Sequence, residues 1–435
     1  MNNKLVFRVP GKGRTAVYLL LGWVMVMLWL RDVLKLPSAI TYLTDIMVVY
    51  LIVTRINKII RENKMVKTNV QSGIFAAIII AILIGVILNL VSPLLVAWAA
   101  RNNIRFFVFF FICVGVLKSE DIDRIFRMLV FFFWINIVIC TYQYYGEGLQ
   151  GDNLGGLFGT EKGCNAYMNI LLCAVISIIF GKFCNKEKNF FQLVLYLVAS
   201  IYIALLAELK AFYVEIALIL LLTMIANGVS WRWLVFLVIG LLGTQILLFV
   251  LSVYAPKTMM MLLDKDALEM YLSGKGYTQS NDLNRFTAIQ QINQMFFKGK
   301  PLRLLFGFGF GNCETSQFSF LQSSFFRQYG YLHYRWFTHA WVFLEQGAVG
   351  LILLVTFIVS IIPTTRKRKS LIRKDIYIAG ICFIATCVFG MIYNSALQLE
   401  AGYIIAFMCS VPFVASKGTP AEDNCSKTEE PATQM

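Results

Sequence analysis

Apolar runs of about 16–22 residues recur along this chain, separated by short polar or basic stretches. A helix needs roughly 20 residues to cross a bilayer core. Lipid offers backbone groups no hydrogen-bond partner, so each run must close its own hydrogen bonds as a helix. The two-residue alternation of an outer-membrane barrel is absent. Composition agrees: 58% of residues are hydrophobic, 14% are charged, and mean hydropathy is +0.70. That is more apolar surface than a soluble domain of 435 residues needs. The expected fold class is an all-α polytopic membrane protein.

Twelve spans are expected, at about 15–31, 37–54, 72–92, 104–117, 126–145, 164–181, 190–207, 211–228, 232–254, 338–362, 376–394 and 397–416. The fourth is short, and its start can be moved toward Trp98. Basic residues then set direction. Arg55, Lys58, Arg61, Lys64 and Lys67 fill one connection, and Lys182, Lys186 and Lys188 a second. Arg366, Lys367, Arg368, Lys369, Arg373 and Lys374 fill a third. With twelve spans all three lie on the side of both termini, and the positive-inside rule makes that side cytoplasmic. The organisation is then nine spans over 1–254, an extracytoplasmic loop over 255–337, three spans over 338–416, and a polar, disordered cytoplasmic tail over 417–435. A shorter Gly-rich loop, from Gly146 to Gly163, shares the outer face.

Lys4, Arg8, Lys12 and Arg14 precede the first apolar run as in a signal peptide. No small-x-small cleavage site follows, so the run is expected to stay as a membrane helix. The ten cysteines include no CxxC pair, and most lie within apolar runs, where Cys behaves as a small hydrophobe. Cys164 and Cys313 fall on the outer face, where a bridge between them is open. With two histidines and no Cys/His cluster, no dedicated zinc site is expected.

Both histidines, His333 and His339, fall within Tyr331–His339, which closes the long loop. His339 stands where a new apolar helix begins, a position suited to proton transfer at the mouth of a membrane bundle. The loop holds nine Lys/Arg against five Asp/Glu, a surplus that an anionic ligand would explain and that long translocated loops also tolerate. Asn281 and Asp282 can cap a helix through Phe297, with Leu283, Phe286, Ile289, Ile292 and Phe296 on one face. Arg285 falls within that face and must pair or snorkel; position alone favours snorkelling to the interface. The run Phe306-Gly307-Phe308-Gly309-Phe310-Gly311-Asn312 offers backbone N–H groups to an anion or forms a tight interfacial turn with Phe anchors, and spacing favours the turn. It lacks the GK[ST] of a nucleotide loop.

Charges at membrane depth raise the same choice between binding and scaffolding. Glu208, Lys210 and Glu215 lie at the hairpin between spans seven and eight. Lys210 either meets a substrate phosphate or pairs with Glu215. Asp45 and Glu345 either face a cavity or pair with a basic group on a neighbouring span.

In layout and motif order the chain resembles the O-antigen polymerase and O-antigen ligase superfamily of bacterial membrane glycosyltransferases. The likeness rests on the late outer loop with Asn284-Arg285-Phe286, on Phe306 to Asn312, and on His339 followed by Phe343-Leu344-Glu345-Gln346-Gly347-Ala348-Val349-Gly350. The segment from Gly156-Leu157-Phe158-Gly159 to Asn165 resembles a further family stretch. The chain departs from the pattern at Ala340, where Asn is usual, and at Lys210, where Arg is usual.

The resemblance implies a GT-C-like enzyme, independent of metal and nucleotide, acting on a glycan repeat unit carried by polyprenyl diphosphate at the outer face of the bacterial inner membrane. It implies His339 as general base and Arg285 and Lys210 as stabilisers of the diphosphate leaving group. Substrate contacts are expected from Arg303, Gly307, Gly309, Gly311, Asn312, Arg335, Glu345 and Asn165. The expected partners are the lipid-linked oligosaccharide, the bilayer, a flippase and a chain-length regulator, with no nucleic acid. A polymerase of O-antigen, capsule or exopolysaccharide is favoured over a ligase that completes lipopolysaccharide, because Gly350 is followed by Leu351-Ile352 rather than Thr-Thr. From other classes, a flippase or transporter suits twelve spans, but the two halves do not repeat. A structural component of an export complex is the weaker alternative.

Overall fold

The computed structural model describes residues 11–62, 69–228 and 282–417, and all regular structure among them is helical. The membrane helices are α1 (Lys12–Asp32), α2 (Tyr42–Glu62), α3 (Asn69–Leu88), α4 (Pro93–Asn103), α5 (Arg105–Val116), α6 (Ser119–Glu147), α7 (Asn165–Cys184), α8 (Phe190–Leu206) and α9 (Lys210–Asn227). The loop carries α10 (Ala288–Ile292), α11 (Pro301–Phe306) and α12 (Ser324–Tyr329). Then come α13 (Thr338–Val359), α14 (Ile361–Lys367), α15 (Lys374–Tyr393) and α16 (Gly402–Ala415).

Eight of these segments are long and apolar enough to cross a membrane, so this is a multi-pass membrane protein. The expected fourth span is instead a bent pair, α4 and α5, meeting at 48°. Its helix starts at Pro93, where Pro takes the first helical position after Ser92. The expected seventh and twelfth spans are shorter apolar helices of 17 and 14 residues. The expected ninth span, 232–254, lies outside the described residues, as do the first part of the long loop and the tail from 418.

Burial sorts the helices into an inner and an outer set. Of the most apolar stretches of α7 and α15, 78% and 72% are buried inside the protein, against 17% for α2. Around the outside, Ile46 on α2, Ile87 on α3, Phe191 and Val198 on α8, and Ile225 on α9 are exposed. In a bilayer those side chains meet acyl chains, so exposure carries no hydrophobic penalty. The inner helices interlock through aromatic edges, as where Phe109 and Phe110 of α5 meet Tyr403 and Phe413 of α16.

The Gly-rich loop after α6 folds down between helices. The Gln143 amide exchanges hydrogen bonds with Gly156 N and O (2.8 and 3.2 Å). Asn136 accepts from Leu157 N at 2.8 Å, and Asp32 from Thr160 N at 2.9 Å. Three buried polar side chains thus satisfy backbone that would otherwise be stranded among apolar helices. Cys164 and Cys313 are both buried free thiols, so the open bridge between them is absent.

The two ends of the bundle differ. α7 runs from Asn165 toward Lys182, and α15 runs back from Lys374 to Tyr393. The Lys182–Lys188 and Arg366–Lys374 clusters therefore share one end. The opposite end holds the two loops and a large cavity.

Candidate functional site

The cavity has a volume of about 1100 Å³. It is walled by the last turn of α1, the α4–α5 bend, the first turns of α7 and α9, the segment after α15, and the loop 282–337. Seven cations line it (Arg31, Arg101, Arg105, Lys162, Lys210, Arg285 and Arg335) against four carboxylates. An excess of fixed positive charge in a cleft favours an anionic occupant.

The bend at Ile104 is what turns Arg101 and Arg105 to the cavity from a stretch too apolar to suggest them. Arg101 bonds Asp45 at 2.6 Å and lies 4.8 Å over the Trp98 ring. That pairing answers the question posed by Asp45. Arg105 is 9% exposed. It donates to Gln398 O at 2.8 Å and to Glu400 at 3.2 Å, and its Nε has no hydrogen-bond partner among the described residues. Tyr167 donates to the same carboxylate at 3.3 Å.

Arg335 lies 4.1 Å over the Trp341 ring, with the Glu314 carboxylate 3.8 Å away. Glu314 is fully buried and accepts from Asn102 (3.2 Å) and Asn103 (2.7 Å), tying the loop to the α4–α5 bend. Burial pushes the Glu314 carboxyl above the usual range; Arg335 and the two amides offset this only in part.

Arg285 does not snorkel to an interface. It lines the cavity, with its guanidinium 4.0 Å over the Tyr393 ring and 5.5 Å from that of Phe337. The helix expected from Asn281 starts only at Ala288 and passes into a π turn over Asn293–Phe297. The reason is local: the Asn284 side chain accepts from Phe286 N at 3.0 Å, and Leu283 N bonds Leu332 O at 3.0 Å. These bonds hold the chain in a turn. The expected single face is lost with it: Leu283 and Ile292 are buried, whereas Phe286 and Ile289 are exposed.

His339 is buried just behind this arginine. Its Nε2 lies 2.8 Å from Arg285 O and its Nδ1 3.1 Å from Met391 O. Both ring nitrogens face backbone carbonyls, so no imidazole lone pair points into the cavity. Thr338 donates through N and Oγ1 to Asn394 O and ties the start of α13 to the end of α15; the ring packs between that junction and the Arg285 turn, its one N–H in the neutral form bonding one of the two carbonyls. His333 has a left-handed backbone (φ 50°) and stacks on Trp336 at 4.1 Å.

Lys210 and Asn165 also line the cavity. Asn165 donates to Ala207 O and to the Asp152 carboxylate, both at 3.2 Å. Lys210 and Glu215 do not form the pair expected as an alternative. Glu215 accepts instead from Asn169 at 2.7 Å and Cys173 at 3.2 Å.

Arg303, Gly307, Gly309, Gly311, Asn312 and Glu345 are not part of the cavity wall. Gly307 (φ 66°) and Gly347 (φ 64°) clasp one another's strands of backbone. A Cβ on Gly307 would lie 2.5 Å from Leu344 O, and one on Gly347 would collide with the Leu305 carbonyl. Gly347 breaks α13 at this crossing. Gly309 and Gly311 lie against α3 and α4. Glu345 accepts from Gly311 N (3.2 Å) and Cys313 N (3.1 Å), which takes up N–H groups an anion would need. Arg303 is exposed beside Phe308, and Asn312 bonds Phe308 O at 2.8 Å. The glycine run is thus a packing device rather than a ligand cradle.

No protein-family model matches the chain, and no curated protein matches its sequence.

Proposed function

We propose that the protein is a surface-polysaccharide polymerase. It joins oligosaccharide repeat units carried on polyprenyl diphosphate at the outer face of a bacterial cytoplasmic membrane. One observation carries the reading: a large cavity with a surplus of cations and several aromatic walls opens at the end of the bundle remote from the basic loops. The positive-inside rule makes that end extracytoplasmic, with twelve spans and both termini inside.

Diphosphate is a good leaving group once its charge is met, and Arg285, Lys210 and Arg335 supply cations for it in a low-dielectric site. Trp336 and Tyr393 are the more open aromatic side chains at the wall against which sugar rings could pack. With each ring nitrogen facing a carbonyl and the one N–H of a neutral ring bonded to one of them, His339 is a positioning residue beside the Arg285 turn, in place of the general base that the motif suggests. A flippase and a chain-length regulator are the partners this reading calls for.

Glycan length in the native host tests the reading. Deletion should leave surface material capped by a single repeat unit. Long glycan stranded on the lipid carrier would instead mean a ligase, and repeat units trapped at the inner leaflet a transporter. The His339→Gln variant, which keeps one donor for one carbonyl, should retain more elongation than His339→Ala, about tenfold for one hydrogen bond of roughly 1.4 kcal/mol. Equal, complete loss in both would restore the ring as base.

A further inference from the structure

We infer that Glu208 accepts the proton of the acceptor hydroxyl, an inference that rests on the glycosyl-transfer reading of the cavity. A sugar hydroxyl attacking an anomeric carbon needs a base with an open lone pair, and a carboxylate is a common solution. Four carboxylates line the cavity. Asp152 accepts from Asn165, Glu161 pairs with Arg31 at 2.7 Å, and Glu400 is held by Arg105 and Tyr167. The Glu208 side chain alone has no hydrogen bond or ion pair among the described residues.

The backbone around Glu208 is built for display. Its φ of 50° is left-handed, a conformation that disfavours a side chain and that persists where the surroundings impose it. Asn165 imposes it by gripping the preceding Ala207 carbonyl while bonding Asp152 of the facing loop. Gly151 of that loop leaves room beside the carboxylate, since a Cβ there would sit 3.7 Å from Glu208 Cδ. Two residues on, Lys210 opens α9 and lines the same cavity, its N–H bonded to Glu208 O at 2.9 Å. One turn therefore carries a proton acceptor and a phosphate-binding cation.

The step balances. The acceptor O–H bond breaks and its proton passes to Glu208. The acceptor oxygen forms a bond to C1 of the donor sugar. The bond from C1 to the diphosphate oxygen breaks, and its electron pair leaves on the diphosphate. Glu208 then returns the proton to water at the cavity mouth. This role also accounts for an Asn at position 165, which acts on the base through Ala207 rather than on substrate.

The test uses full-length protein in lipid vesicles, with lipid-linked repeat units extracted from the deletion host for elongation and undecaprenyl diphosphate for binding. Glu208→Gln should slow elongation on the order of 10²–10⁴-fold and leave undecaprenyl diphosphate affinity within about twofold, because the base does not touch the leaving group. Glu208→Gly relieves the left-handed strain, so its Tm should match or exceed wild type while elongation is lost. That result separates loss of chemistry from loss of fold. Wild-type elongation by Glu208→Gln, or a rate loss explained by weakened diphosphate binding, would overturn the inference while leaving the polymerase reading intact. Wild-type protein that binds no undecaprenyl diphosphate and elongates nothing would overturn both.

Discussion

At the end of the bundle that carries the basic loops, arginines bond carboxylates edge-on. Arg14 donates to Asp121 and Glu120, and Arg373 to Asp123 and Asp375, each pairing with α6 or with its own helix start. At the cavity end, Arg101, Arg105, Arg285 and Arg335 each lie over an aromatic ring. The geometric difference has a chemical consequence. A guanidinium whose edge is filled by a carboxylate has few N–H groups to spare, and its charge is cancelled locally. A guanidinium resting on a ring is held through its face as well; Arg101 and Arg105 also spend edge N–H groups on Asp45 and Glu400, whereas Arg335 stands 3.8 Å from its carboxylate. The first arrangement joins helices; the second fixes cationic charge at the cavity wall.

The largest test of this contrast is Arg285→Ala. If the cavity performs the proposed glycosyl transfer, loss of this cation should reduce elongation on the order of 10²–10³-fold, about 3–4 kcal/mol of transition-state stabilisation. The stacking that Tyr393 and Phe337 lose is worth about 1 kcal/mol, so Tm should fall far less than elongation does. A variant that melts early yet elongates normally per folded molecule would break the comparison.

At the opposite end, Arg14→Ala should do the reverse. Asp121 is fully buried. After the change it keeps Tyr18 Oη at 2.7 Å and Lys118 N at 2.8 Å but loses its cation. A buried carboxylate left without its partner costs about 3–5 kcal/mol. The two remaining donors reduce that to about 2 kcal/mol. The Tm in detergent should fall, and elongation per folded protein should stay at the wild-type level.

How much of this was legible in the sequence differs between the two ends for a physical reason. Span positions follow from apolar run length, which is a local property, and the helices α1, α3, α6, α7 and α15 sit where the runs put them. Clusters such as Arg366–Lys374 announce an end of the bundle by themselves. The cavity is assembled from single residues that sit far apart in the chain. Arg101 and Arg105 face it only because the helix bends at Ile104, and a bend there leaves no mark in hydropathy. Arg285, Lys210, Asn165 and Arg335 could be singled out beforehand, since charge or amide next to an apolar run is conspicuous. The glycine run misled, because alternating glycines suit both a ligand cradle and a backbone crossing. Only the placement of Gly307 against Gly347's helix decides between them. His339 was placed correctly at a helix start, but the two carbonyls that occupy its ring come from Arg285 and Met391, both remote in sequence.

The finest test concerns the carboxylates beneath the two kinds of arginine. Asp121 has Arg14 at 2.5 Å, whereas Glu314 has Arg335 only at 3.8 Å, because that guanidinium is committed to the Trp341 ring. Burial therefore prevails at Glu314, and its carboxyl in the folded protein sits above its unfolded value. The sign follows from linkage. A group that binds its proton more tightly when folded adds stability that is fully present below the unfolded value, about 4.3 for Glu. That stability is lost as pH rises through the folded value. Wild-type Tm should thus fall relative to Glu314→Gln as pH is raised from about 4.5 toward neutrality. Glutamine cannot ionise, and it still offers an amide oxygen to Asn103. Melts of the two proteins that run parallel across that window would mean that Arg335 pairs with Glu314 as Arg14 does with Asp121. The stacked arginine would then be no freer for a ligand than the bridged one.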